Sequence, residues 1–308
     1  MHILRPSSSP SRSGFTLVEL LVAIAILSIV ALGLLQILSL SMQTWQQGLA
    51  QTNCYTKARV VLDSVTADIQ RGVFRPDLNN FPTPSSTSTL TPTFTFYTRD
   101  AGASTGTTSV RPVSLVTYQM STSSSLQGCL LRSEQTINWS GTTTGTGTTN
   151  LSFLQPLNAV AAATGTTTAP PPDDLLCTGV AGFEMIFLLS DGTTTLAKYY
   201  KAPSQAQVVM IGVAVAVIDD QAMTQLQPAT SSNFGNIQKT LETGLNSNFS
   251  LMTIPTGYTS YTSTYTGRSI KEYWDSAMQP IFLSPGYPKS LASGFQTFER
   301  FVPCTPFN

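Results

Sequence analysis

Residues 12–41 read RSGFTLVELLVAIAILSIVALGLLQILSLS. Within it, residues 15–40 form an apolar run of 26 residues in which only Glu19 is charged. A helix of that length spans roughly 39 Å, which exceeds the ~30 Å hydrocarbon core of a bilayer. A carboxylate inside such a helix costs about 2.5–3.5 kcal/mol even on a lenient insertion scale. We therefore expect a membrane helix in which Glu19 has a partner or a specific role.

The segment before this run determines the orientation of the helix. Residues 1–14 contain Arg5 and Arg12 and no acidic residue, and the positive-inside rule places such a segment in the cytoplasm. An ordinary secretory signal has an apolar core of about 7–15 residues that ends at a small-residue cleavage site. Here the small residue, Gly14, precedes a much longer core. The sequence predicts a single-pass inner-membrane protein with a cytoplasmic N-terminus before processing and a periplasmic or extracytoplasmic C-terminal domain.

The residues GFTLVELLVAIAIL, which begin at Gly14, resemble the class III signal of type IV pilins and type II secretion pseudopilins. This resemblance implies cleavage by prepilin peptidase between Gly14 and Phe15 and N-methylation of Phe15. It makes Glu19 the fifth residue of the mature chain. It also implies a pilin-like fold and, as partners, the membrane, other pilins or pseudopilins in a filament, and an inner-membrane assembly platform.

The resemblance suggests a role for Glu19. Cleavage would create a positive amine on Phe15, and a carboxylate four residues along a helix lies on the same face, near the positive end of the helix dipole. In the family, this acid is thought to neutralise the N-terminal amine of the neighbouring subunit. The alternative is an anchor helix whose Glu19 extends to the membrane interface.

The pattern downstream of the signal predicts an α+β chain with a pilin-like fold. We expect a leader at 1–14, a helix at 15–72 with its membrane part at 15–40, a β domain at 73–220 and an irregular C-terminal extension at 221–308. The helix should pack on an antiparallel sheet through a stripe with spacings of four and three, and RPD at 75–77 should end it. The stripe comprises Ala58, Leu62, Val65, Ile69 and Val73.

Short apolar or β-branched runs predict the strands, and the last three should form an antiparallel meander with a turn at SDGT, 190–193. Polar low-complexity segments at 83–92, 101–109, 140–150 and 163–172 read as surface loops. The tail segment FERFVPCTPF should dock through Phe298 and Phe301. The predicted strands cover 93–97, 113–120, 126–134, 183–189, 195–200 and 208–218, and helices in the extension are expected near 220–226, 237–245 and 270–278.

A finer resemblance concerns the kind of subunit. LLCTGVAGFEMIFLLSDG followed by VVMIGVAVAVIDD resembles the J-type minor pseudopilin, and the Verru_Chthon cassette proteins have a similar build. Major pilins usually carry proline at the twenty-second mature residue, which here is Gln36. The resemblance implies a minor pseudopilin at or near the tip of a periplasmic filament in a type II secretion-like system. The alternative is a minor pilin with an adhesive or DNA- or glycan-binding role in a type IV pilus-like filament.

Composition limits the other functions. The chain has 16 basic and 16 acidic residues, so it lacks the basic excess of a nucleic-acid-binding protein. Its single histidine is His2, inside the leader, which excludes hydrolases with a histidine base and zinc sites with imidazole ligands from the mature chain. We expect no enzymatic activity and no cofactor. Calcium is left open as a weak prediction at Asp219 and Asp220, against the alternative that Asp220 caps the next helix and Asp219 is solvated.

Four cysteines would face an oxidising compartment, and none of them forms a CxxC pair. This spacing indicates one or two structural disulfides rather than metal binding or redox work. Four cysteines allow three complete pairings, and the sequence does not choose among them. As a guess, Cys129 pairs with Cys177 to join neighbouring strands, and Cys54 pairs with Cys304 to tie the tail to the helix.

Overall fold

The computed structural model describes residues 16–73, 93–99, 110–121, 126–138, 174–189, 194–196, 208–226, 232–249 and 269–304. The leader, the cleavage site at Gly14 and Phe15, the four polar segments and the predicted SDGT turn lie outside the described residues. The chain divides into two compact units, Met1–Leu49 and Ala50–Asn308.

The first helix, α1, runs over Leu17–Gln70 and has 54 residues. It is long and apolar enough to cross a membrane, and no side chain in its most apolar window is buried. In the second unit, α1 buries one face, as the spacing of its apolar residues predicts. The buried apolar residues of α1 are Ala50, Cys54, Ala58, Val61, Leu62, Val65 and Ile69.

The helix ends by joining a sheet edge. The Val73 backbone nitrogen donates to the Tyr97 carbonyl at 2.8 Å, and Gly72 forms an isolated antiparallel bridge with Thr98. These bonds satisfy backbone groups that the end of α1 leaves without helical partners. Helical structure therefore stops at Gln70, before the RPD sequence that was expected to end it.

The described strands form two antiparallel four-stranded sheets with the orders β1-β2-β3-β4 and β6-β5-β7-β8. This arrangement with α1 confirms the α+β class and is consistent with a pilin-like fold. The strands of the first sheet are β1 Thr93–Thr98, β2 Val110–Met120, β3 Leu130–Asn138 and β4 Asp174–Cys177. Those of the second are β5 Val180–Leu189, β6 Thr194–Leu196, β7 Val208–Ile218 and β8 Phe295–Pro303.

Two expectations about the strands were wrong or incomplete. The predicted meander is wrong, because β5 lies between β6 and β7 and bonds to both. The strand expected from residue 126 begins at Leu130, because the residues before it form a turn in which Gly128 has a φ of 76°. Strands β4 and β8 were not predicted.

The first hydrophobic core joins α1 to both sheets. It contains Val61 and Val65 of α1, Phe96 and Tyr118 of the first sheet, and Phe183 of the second. The Phe94 and Phe183 rings, one from each sheet, meet edge to face with their centroids 5.5 Å apart. Burial of this apolar surface is the main contribution that holds these elements together.

A buried ion pair crosses the same region. The Arg132 side chain donates to both carboxylate oxygens of Asp68, from Nε at 2.8 Å and from Nη2 at 3.2 Å. The Tyr118 hydroxyl donates to the same carboxylate, and burial first and Asp68 second raise the pKa of Tyr118. Asp68 is thus fully paired although it is only 6% exposed, and it links α1 to strands β2 and β3.

The second core lies on the other face of the second sheet. Strand β7 alternates valine and isoleucine toward the first core with small residues such as Ala214 and Ala216 toward the second. These small residues leave room for helices. Trp274, in the helix at 270–283, packs against Gly182 of β5, where an added Cβ would lie 3.2 Å from the Trp274 ring. The helices of the extension are α2 Asp220–Leu226, α3 Ser232–Phe249, α4 Ile270–Leu283 and α5 Ser290–Gly294.

The N-terminal signal and candidate assembly site

Glu19 belongs to a hydrogen-bonded cap at the start of α1. Its Oε2 atom accepts from both the Thr16 backbone nitrogen and the Thr16 hydroxyl, each at 3.2 Å. In return, the Glu19 backbone nitrogen donates to the Thr16 hydroxyl at 3.3 Å. This is the reciprocal arrangement of a capping box, in which the N-cap residue and the third helical residue satisfy each other's backbone groups.

The sequence reasoning missed this cap, although TLVE at 16–19 matches the pattern of threonine followed three residues later by glutamate. The carboxylate is held at the first turn, where the helix dipole favours negative charge. It is exposed, so a group from another molecule can reach it. The predicted cleavage and methylation at Gly14 and Phe15 remain predictions, because these residues lie outside the described part.

The polar side chains farther along the apolar part of α1 also form internal hydrogen bonds. The Ser28 hydroxyl donates to the Ile24 carbonyl at 2.8 Å, and the Thr44 hydroxyl donates to the Leu40 carbonyl at 3.0 Å. A hydroxyl bonded to its own helix does not need water, which is the condition for placing it in hydrocarbon. Around these residues the apolar side chains face outward, among them Leu21, Ile29 and Leu38, which are 59–71% exposed.

A profile of the prokaryotic N-terminal methylation motif matches residues 9–35, a span that includes the cap at Thr16 and Glu19. This match supports a type IV pilin-like protein. It supports processing by prepilin peptidase, assembly with other pilins and a structural rather than enzymatic role. The apolar part of α1 is consistent with the membrane anchor of prepilins. Comparisons with curated proteins and with solved structures gave no match.

Asp219 and Asp220 have the reverse of the roles that the alternative to calcium binding gave them. Asp219 is buried and caps α2, because its Oδ2 atom accepts from the Gln221 backbone nitrogen at 3.0 Å. Its Oδ1 atom accepts from the Asn53 side chain at 3.2 Å. Asp220 is exposed and pairs with Lys57, with Nζ and Oδ1 2.5 Å apart. The alternative in which Asp220 caps the helix and Asp219 is solvated is therefore wrong.

These bonds bear on the calcium prediction. Three of the four carboxylate oxygens of Asp219 and Asp220 already have a partner in the protein. Both oxygens of Asp219 accept hydrogen bonds, and one oxygen of Asp220 forms the ion pair with Lys57. Calcium takes six to eight oxygen ligands. Within the described ranges, no cluster of three or more histidine, cysteine, aspartate or glutamate side chains could hold a metal ion. Metal binding by these two residues is untested, and we do not propose it.

The four cysteines, all buried, are free thiols in the structure. Cys54 Sγ lies 3.9 Å from the Val217 carbonyl oxygen, near one end of β7, whereas the Cys304 backbone nitrogen bonds to Val209 at the other end. Eight residues of strand separate these points by about 26 Å. A disulfide requires Cα atoms about 4.4–6.8 Å apart, so the guessed bond between Cys54 and Cys304 is wrong.

Cys129 and Cys177 remain a predicted pair, since Cys177 lies opposite Leu130, the residue after Cys129. Burial raises the pKa of the thiols of Cys54 and Cys304 to about 12. A thiol with such a pKa is protonated at neutral pH and is a poor nucleophile. These two cysteines therefore act as small core residues.

The tail docks through backbone bonds rather than through its two phenylalanines alone. Strand β8 pairs with β7 over its whole length, from Phe295 to Pro303. The Phe298 ring meets Tyr55 of α1 edge to face, with centroids 6.1 Å apart, but Phe301 is 47% exposed. The tail therefore docks through Phe298, as expected, but Phe301 is not a buried anchor.

Proposed function

We propose that this pilin-like chain is a minor pseudopilin that prepilin peptidase processes and that assembles at or near the tip of a periplasmic filament in a type II secretion-like system. The observation that carries the proposal is the methylation motif at 9–35, which overlaps the start of α1. Residues 17–40 of this helix present an exposed apolar surface in which Glu19, in the first turn, is the only charged residue. A helix with this surface needs lipid before assembly and neighbouring helices after it.

Glu19 gives the assembly step a chemical basis. Among the described residues, the Glu19 carboxylate accepts the two Thr16 bonds of the cap. In a filament, the methylated amine of a neighbouring subunit's first residue supplies a positive charge. An ion pair in a medium of low dielectric constant is far stronger than the same pair in water. The pairing of Glu19 would therefore favour the position in which two subunits are correctly staggered.

Two features support a minor position over the main repeating one. Gln36 stands where major pilins usually have proline. The residues after β7 add four helices and strand β8, so the second unit carries a second core that covers one face of its sheet. A bulky subunit suits the end of a filament, where it has fewer neighbours. The J-type and cassette-protein resemblances belong to the same proposal.

The test is to locate the subunit in filaments of its own bacterium. A tagged chain that complements a deletion strain is tracked by gold labelling of filaments released from the periplasm after the outer membrane is disrupted. We expect one or a few labels at one end, together with loss of protein secretion in the deletion strain. Labels along the whole filament would contradict the minor role. Normal secretion combined with lost surface attachment would favour the adhesive minor pilin instead.

A further inference from the structure

Strand β8 is a regular edge of the second sheet. Its nine residues pair with β7 in unbroken register, from Met210 opposite Pro303 to Ile218 opposite Phe295. Among the described strands, β7 is its only neighbour. A long edge without a bulge presents a row of backbone donors and acceptors to which another extended chain can bind.

A groove lies between this edge strand and α1. It encloses about 290 Å³. Leu62 and Phe298 make its floor apolar, and Tyr55 forms one wall with its ring against Phe298. A strand added beside β8 would lie about 4.8 Å from it, so every second side chain would point into this groove. The complete lining is Tyr55, Ala58, Arg59, Leu62, Asp63, Phe298 and Arg300.

The groove has an excess of positive charge. Arg300 donates to Asp63 Oδ1 at 2.6 Å, and Arg59 donates to Asp63 Oδ2 at 3.4 Å. Hydrogen bonds from Arg300, then its charge and the bonds from Arg59, lower the pKa of Asp63, so this carboxylate is ionised at neutral pH. Two guanidinium groups therefore share one carboxylate. Each has five N–H donors, and both side chains are at least 40% exposed, so donors remain for a further carboxylate.

We propose that β8 and this groove bind an extended, acidic segment of a partner protein by strand addition. The backbone of the segment would pair with β8, an apolar side chain would contact Leu62 and Phe298, and a carboxylate would reach Arg59 and Arg300. Main-chain bonds supply affinity in this type of recognition, and pockets for alternate side chains supply specificity. The surface lies wholly in the second unit, so the proposal does not depend on N-terminal processing.

The test uses the full chain in detergent micelles and fluorescence anisotropy. The probe is a fluorescein-labelled nine-residue peptide in which every second residue is in turn glutamate, valine or phenylalanine, with threonine between them, so that carboxylates and apolar side chains lie on the same face of the strand. We expect saturable binding that weakens as salt is raised, because the ionic contacts are exposed. Two matched peptides should fail to bind: one with lysine in place of each glutamate, and one with N-methyl groups on consecutive backbone amides, which leaves neither edge of the peptide able to pair with a strand.

Variants of the chain assign the site. Arg59→Ala and Arg300→Ala should each weaken binding of the acidic peptide by about tenfold. Lys239→Ala removes an exposed cation from α3, outside the groove, and should leave binding unchanged. The proposal is overturned if the acidic peptide does not bind at about 1 mM, if the lysine or N-methylated peptide binds equally well, or if Lys239→Ala has the same effect as the arginine variants.

Discussion

The Glu19 Oε2 atom lies 3.2 Å from both the backbone nitrogen and the hydroxyl of Thr16. The carboxylate thus completes the first turn of α1 before any second subunit is present. Removing Glu19 would change two things at once, the cap and the charge. These effects must be separated to test its role in assembly.

Glu19→Gln separates them, because glutamine also completes a capping box but carries no charge. We expect Glu19→Gln and Glu19→Leu both to reduce incorporation into filaments by about tenfold or more, equivalent to at least ~1.4 kcal/mol. Processing of the N-terminus should continue in both. The measurement is the amount of each variant in filaments released from the periplasm relative to membranes. Normal incorporation of Glu19→Gln would show that the charge is not required.

The ion pair between Asp68 and Arg132 should contribute strongly to stability. Arg132→Met would leave the Asp68 carboxylate buried without its cation, which typically costs about 3–5 kcal/mol. Urea unfolding in detergent should show this loss. The matched control is Arg59→Met, which breaks an exposed pair with Asp63 and should change stability by at most ~1 kcal/mol. Equal effects of the two variants would contradict the assigned difference in burial.

Gly179 should resist substitution. Its φ is 75°, and a Cβ added there would lie 2.5 Å from the Ile218 carbonyl oxygen. Gly179→Ala should therefore destabilise the chain by about 2–4 kcal/mol through strain and displacement of β7. Gly235 in α3 is the contrast, because an added Cβ meets nothing within 4 Å. Gly235→Ala should stabilise by about 0.5–1 kcal/mol, and thermal unfolding of both variants checks the pair.

Glu299 should make stability depend on pH. Burial raises the pKa of its carboxyl, although hydrogen bonds from Ser269 and the backbone of α4 act in the opposite direction. Because the folded pKa is the higher one, the contribution of Glu299 is present below the unfolded value of about 4.5 and is lost as pH rises through the folded pKa. Glu299→Gln should reduce this loss, as measured by urea unfolding between about pH 4 and pH 8. The same pH profile in Glu299→Gln and the parent chain would refute the assignment.

Local apolar patterns predicted several elements to the residue. Strand β7 and helix α2 occupy 208–218 and 220–226 as expected, because a continuous apolar run ends at a pair of aspartates. Strand β8 was missed because charged residues interrupt its apolar ones, which is the pattern of an edge strand with one partly open face. Strand β4, with four residues, is too short to show a period. The order of β5, β6 and β7 depends on tertiary packing, which neighbouring positions in the sequence do not encode.

The candidate site was predictable in position but not in detail. The order of residues from Gly14 to Glu19 predicted the signal, and the methylation motif supports it. The bond between Thr16 and Glu19 follows from a four-residue pattern that could have been recognised. The alternative drawn from the sequence placed the cap of α2 at Asp220, whereas the structure places it at Asp219. The two differ by one residue in the helix start, which sequence patterns do not resolve. The groove beside β8 joins residues 59 and 300, which no local pattern connects.

Processing of the chain as a pilin-like subunit is tested by the intact mass and N-terminal sequence of the protein purified from its own membrane. We expect a chain that begins at Phe15 and carries one methyl group on its amine. A chain that begins at Met1, or one cleaved after Leu40, would contradict processing by prepilin peptidase and the assembly role of Glu19.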